Sequence, residues 1–184
     1  MIETVLLAFL VAKIKGYKLK SIFKCWEIYL ILGFELIYLF MQVSVFYGNY
    51  SFIKYASVFK TLYLYSFFIF IIKYKLYSSA IIGSISIIIG SVLNNIAISM
   101  NNGKMPVFPT LSYLTGYAKY DSFSKINDIH TLGISATKVK YLTDFIDIGY
   151  SVLSIGDIFI RLFAFIIIYN TIKHINNKHY AENR

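Results

Sequence analysis

Charge is scarce in this chain of 184 residues: Asp, Glu, Lys and Arg together make up 15%, against about a quarter in ordinary soluble domains. Cysteine occurs once and proline twice. Cys25 has no partner within the chain, which excludes a disulfide scaffold, and the composition excludes collagen and intrinsic disorder. What fills the space is apolar: 58% of the residues are hydrophobic, 17 are Tyr and 16 are Phe, and the mean hydropathy is +0.63. Soluble domains hold about 45–50% apolar residues. The chain therefore reads as a polytopic membrane protein, an all-α transmembrane helix bundle forming a single integral membrane domain over residues 1–184.

Uncharged runs mark about five spans, at about 2–14, 28–47, 55–72, 77–99 and 149–170. Each must be helical, because hydrocarbon offers no partner for a backbone N–H or C=O. The first is the shortest and is marginal against roughly 30 Å of hydrocarbon. The fourth lies inside Leu76–Gly103, a 28-residue stretch without one charge. The amino terminus lacks the positive region and small-residue cleavage pattern of a signal peptide, so the first segment is expected to remain in place.

A net charge of +9 would suggest nucleic acid in a soluble chain, but here the basic residues sort by membrane side and no nucleic-acid partner is expected. Lys13, Lys15, Lys18, Lys20 and Lys24 follow the first span, and Lys73 and Lys75 follow the third. Cytoplasmic loops carry such an excess. Alternation then puts the amino terminus outside and the tail, with Lys173, Lys178 and Arg184, in the cytoplasm, and the segment 101–148 faces out. Lys13–Trp26 interleaves lysines with Tyr17, Ile22, Phe23 and Trp26, a composition suited to membrane lipids at an anionic headgroup surface.

Ser79, Gly83, Ser86, Gly90 and Asn94 recur at helical spacing along the fourth span, a stripe that lets another helix approach closely. Ionisable side chains inside spans are functional candidates by default. Glu35, Asp157 and Arg161 qualify, with Asp157 and Arg161 four apart on one helix face, at salt-bridge spacing. Past Asn101-Asn102-Gly103 the two prolines prevent a regular helix. The loop that follows, ordered by its Tyr, Ile and Leu content, is expected to hold short helices at 110–117 and 139–146. His130 with Asp128, Asp144 and Asp147 lacks the ligand spacing of a metal site, and no cofactor motif is present, so neither metal nor cofactor is expected.

The blocks Asn102-Gly103-Lys104-Met105-Pro106-Val107, His130-Thr131-Leu132, Leu142-Thr143-Asp144-Phe145-Ile146-Asp147 and Ser154-Ile155-Gly156-Asp157 occur in this order in a bacterial family of small polytopic membrane proteins classed as a domain of unknown function. The chain resembles that family over nearly its whole length. The resemblance implies an integral membrane protein with no assigned activity, and the expected location is the cytoplasmic membrane. The blocks at 142–145 and 154–157 are also similar to two blocks of lipoprotein signal peptidase, which implies a catalytic role for Asp157. That family's other aspartate should follow an asparagine by three residues, yet Asn95 is followed by Ile96, Ala97 and Ile98. Asp144 or Asp147 would have to complete the proton-sharing dyad.

The leading expectation is a non-enzymatic membrane protein that binds a lipid, small ligand or partner membrane protein at a polar pocket under the outer loop. Asn94, Asn95, Asn102, Lys104, Asp144, Asp157, Arg161 and Glu35 are its candidate residues. The alternatives are an intramembrane aspartic hydrolase and an accessory subunit of a membrane transport complex.

Overall fold

The computed structural model describes residues 1–119, 123 and 128–182. Helix α1 is Ile2–Ile14, a 3-10 helix covers Leu19–Lys24, and α2 is Trp26–Phe46. After a 3-10 turn at Ile53–Tyr55 come α3 (Ala56–Ser66), α4 (Phe68–Lys73) and α5 (Tyr77–Met100). The stretch before the last helix holds β1 (Met105–Val107), α6 (Leu111–Thr115), β2 (His130–Leu132), a 3-10 turn at Lys140–Leu142, β3 (Ile146–Asp147) and β4 (Val152–Leu153). The last helix, α7, is Ile155–Glu182.

Among the described residues, four helices are long and apolar enough to cross a membrane: Trp26–Phe46, Ile53–Lys73, Tyr77–Met100 and Ile155–Lys178. The expected span over 2–14 is not one of them. At about 1.5 Å per residue the 13 residues of α1 reach about 20 Å, short of the roughly 30 Å hydrocarbon layer. The last span begins at Ile155 rather than Gly149. Gly149 has φ +87°, a left-handed conformation that a helix cannot contain, and Val152–Leu153 pairs in a hairpin with Ile146–Asp147.

The chain forms two compact units, which share α2, α5 and α7. The first comprises Met1–Tyr38, Ser57–Ile87 and Arg161–Arg184. Its core joins Val5, Ala8 and Ala12 of α1 to Ile28, Ile31, Tyr63, Phe67, Phe70, Phe163, Ile167 and Ile168. The small residues on one face of α1 let its backbone approach the core, while Leu6, Leu7 and Leu10 stay exposed on the other face. Tyr63 meets Phe67 edge-on with ring centres 5.1 Å apart, and Phe67 meets Phe163 at 5.7 Å, the preferred geometry of aromatic pairs.

The second unit comprises Leu39–Ala56 and Ile88–Ile160. In each unit the small-residue stripe of α5 is where α7 comes close. In the first, a Cβ on Gly83 would sit 2.7 Å from the Phe163 ring; in the second, a Cβ on Gly90 would sit 2.4 Å from the Gly156 carbonyl oxygen. In lipid such close packing, rather than the hydrophobic effect, drives helix association. On the other side of α5, Ile81, Ile82, Ile85 and Ile88 are exposed.

Candidate functional site

The second unit carries the polar residues that tie together the segment between α5 and α7. At the end of α5, Asn102 and Gly103 adopt φ +56° and +77°, and the Gly103 amide donates back to the Ile98 carbonyl at 2.9 Å. The Asn-Gly pair ends the helix because both residues tolerate the left-handed conformation that a branched side chain resists. Asn101 ties the helix end to the later loop: its Nδ2 donates to the Lys138 carbonyl at 3.0 Å and its Oδ1 accepts the Lys138 amide at 3.0 Å.

From there β1 runs parallel to β2, with Met105 opposite His130, and Val107 bridges Asp144 on its other side. Helices expected at 110–117 and 139–146 are reduced to α6 and the 3-10 turn, because this backbone spends its hydrogen bonds on strand pairing. The register sets His130 between two carboxylates. Its Nδ1 lies 2.7 Å from Asp128 Oδ2 and its Nε2 lies 3.6 Å from Asp144 Oδ2. Burial opposes protonation of His130, but the hydrogen bond and charge of Asp128, with the charges of Asp144 and Asp157, outweigh it and hold the imidazole above its ordinary value. Asp128 is partly desolvated, yet His130 and Lys104 hold it below the usual carboxylate range. Burial pushes the Tyr117 phenol up to about 12.

Asp147 and Asp157 both serve the backbone. Asp147 Oδ2 accepts the amides of Thr110 and Ser112 at 2.6 and 2.8 Å, and its Oδ1 accepts the Ser112 hydroxyl at 2.6 Å and the Gly149 amide at 2.8 Å. Partial burial works against its ionisation, but those donors outweigh it and keep the carboxyl below its ordinary range. Asp157 forms a capping box with Ser154. The Ser154 hydroxyl accepts the Asp157 amide at 2.9 Å, and Asp157 Oδ2 accepts the Ser154 amide at 3.4 Å, satisfying donors that the first turn of α7 otherwise leaves unpaired. Asn94 completes this knot: its Oδ1 accepts from the Ser154 hydroxyl at 2.7 Å and its Nδ2 donates to Asp157 Oδ1 at 3.5 Å.

Beside the end of α5 lies a cavity of about 320 Å³ lined by Asn102, Lys104 and Lys138 together with Met100, Leu132 and Ile134. The candidate residues therefore separate. Asn94 meets Asp157, Asn102 and Lys104 line the cavity, Asp144 faces His130, and Asn95 is exposed. Glu35 and Arg161 belong to the first unit, where Arg161 Nη1 donates to Glu3 Oε2 at 3.1 Å. The carboxylate partner found for Arg161 there is thus Glu3, on α1. Ser154 and Lys138 were missed in the sequence. Ser154 had a readable signal, a serine three residues before an acid at the head of an apolar run; Lys138 had none. Among the described residues no three His, Cys, Asp or Glu side chains group as a metal site.

Four apolar helices of spanning length define a helical multi-span membrane protein. A family of unknown function, DUF5317, matches residues 19–169, and the chain belongs to it. Comparison with curated proteins and with solved structures returned no match. The matched stretch begins after α1 and takes in the cavity, the capping box and the His130 cluster.

Proposed function

We propose that the protein is a binding protein of the cytoplasmic membrane whose segment 101–148 faces out and holds an anionic amphiphile beside the end of α5. The cavity carries this reading. Lys104 and Lys138 supply positive charge, Asn102 an amide, and Met100, Leu132 and Ile134 an apolar wall, the mixture that a headgroup and the start of an acyl chain require. The proposed orientation is supported by the ten lysines and arginines at Lys13–Lys24, Lys73, Lys75, Lys173, Lys178 and Arg184, which the charge rule assigns to the cytoplasm. It does not depend on whether α1 crosses.

An aspartic hydrolase is the weaker reading, since Asp147 spends both oxygens on backbone and hydroxyl donors and Asp157 is bound to Ser154 and Asn94. The test is purification in mild detergent of the wild type and of Lys104→Ala/Lys138→Ala, with mass spectrometry of the molecules that co-purify. An anionic species enriched over the bulk membrane extract in the wild type and lost from the variant is the expected outcome. Extracts matching bulk membrane in both would remove the proposal.

A further inference from the structure

A richer concentration of cations lies in the first unit. After α1 the chain turns through Gly16 (φ +82°) into the 3-10 helix Leu19–Lys24. That stretch is fastened at two points. Asn176 of α7, 2% exposed, accepts the Lys18 amide at 2.8 Å and donates to the Lys18 carbonyl at 3.3 Å. Ile22, fully buried, belongs to the core, and Leu19 packs against it. With its inner face so fixed, the stretch presents Lys20 and Lys24 outward beside Phe23, Trp26 and Tyr29, which are 40%, 61% and 58% exposed. The Tyr29 hydroxyl donates to the Phe23 carbonyl at 2.9 Å, which sets that ring beside the turn.

Two further chain segments bring lysines to the same end. Lys73 of α4 pairs with Glu27, which is fully buried, so Lys75 follows close behind. The closing turns of α7, where Asn176 holds Lys18, carry Lys173. Over residues 13–29, 73–77 and 173–178 Glu27 is the sole acid, and Lys73 already neutralises it. Lys15, Lys18, Lys20, Lys24, Lys75 and Lys173 have no acidic partner among the described residues.

We propose that this end of the first unit binds the phosphate headgroups of anionic phospholipids in the leaflet it meets. Lysines from three chain segments supply the charge, and Trp26, Phe23 and Tyr29 seat the surface at headgroup depth. Unpaired cations alone would suit any polyanion. The exposed aromatic rings at the mouth of apolar helices favour lipid, because indole and phenol rings partition to the membrane interface. The surface belongs to the first unit and the cavity to the second, and neither proposal depends on the other.

Trp26 is the chain's single tryptophan and sits in this surface, so its fluorescence reports on the lipids touching it. The full chain is reconstituted in phosphatidylcholine bilayers containing either brominated phosphatidylglycerol or brominated phosphatidylcholine at equal mole fraction. Quenching by the anionic lipid is expected to exceed that by the zwitterionic one with a preference of roughly fivefold or more. Because exposed charges are screened by salt, that preference should shrink as ionic strength rises, a test that needs no variant. In Lys18→Gln/Lys20→Gln/Lys24→Gln, which leaves the Asn176 clamp on the Lys18 backbone intact, the preference should fall toward one. Equal quenching by the two lipids in the wild type, a preference indifferent to salt, or one surviving in a triple variant of unchanged helicity would each overturn the proposal.

Discussion

The hydroxyl of Ser154 and the carboxylate of Asp157 cap each other's backbone amides at the head of α7, at 2.9 and 3.4 Å. Asp157 thereby serves as the third helical residue of a capped helix. Asn94 of α5 hydrogen-bonds to both side chains, so the cap also fixes where the two helices meet.

Removing the cap should therefore cost stability. Ser154→Ala is expected to lower stability by about 1–2 kcal/mol, at the upper part of the range for N-caps because the bond to Asn94 goes with it. Asn94→Ala combined with Ser154→Ala should be less than additive, since the two side chains share one network. Thermal unfolding in detergent, followed by circular dichroism, measures both. Strict additivity would show that the Asn94 contact carries no energy.

The close approach of α5 and α7 makes a second prediction. A Cβ on Gly156 would fall 2.0 Å from Asn94 Oδ1, so Gly156→Ala must push the helices apart and should cost about 1–3 kcal/mol or more. Gly33 of α2 has nothing within 4 Å of its Cβ position. Gly33→Ala should be neutral or stabilise the helix by up to about 1 kcal/mol. Comparable losses in the two variants would refute the small-residue contact.

Arg161 provides a third. Its guanidinium is 16% exposed and donates to Glu3, and Glu35, 3% exposed, lies in the same field. Arg161→Met leaves two neighbouring carboxylates without that charge and should cost about 3–5 kcal/mol, seen as lost folded yield. Glu3→Gln in the same chain should recover part of the loss. If Arg161→Met folds as well as the wild type, the pair is ornamental.

The segment between α5 and α7 should respond to pH on both sides. His130 is held above its ordinary value of 6.5, so its contribution is complete below that pH and is lost as pH rises through the folded value. Asp128 is held below its ordinary 3.8, so its contribution is complete above that pH and is lost as pH falls through the folded value. The segment is thus most stable between about pH 4 and 6.5. Hydrogen exchange of the β1 and β2 amides against pH should show a protection maximum there, and His130→Asn should flatten the alkaline side.

Much of this was open to reading in the residues themselves. Hydrocarbon leaves a backbone no option but helix, so apolar runs locate the helices of spanning length that end at Phe46, Lys73 and Met100 to within a few residues. The small-residue stripe of α5 is legible for the same local reason: spacing of three and four puts Gly83, Gly90 and Asn94 on one face. The length of α1 and the lysines after it are equally plain in the sequence.

Partnership was not legible, because it joins residues remote along the chain. Arg161 stands four residues from Asp157, and spacing alone suggested they pair. Folding brings Glu3, 158 positions away, within 3.1 Å of it, and also gives Asp157 a backbone task. Nor does the sequence show that Asp147 accepts from Thr110, Ser112 and Gly149. Residue type determined which segments are helical and which charges needed a partner; only the tertiary structure, by choosing which distant backbone donors come within hydrogen-bonding reach, decided who that partner is.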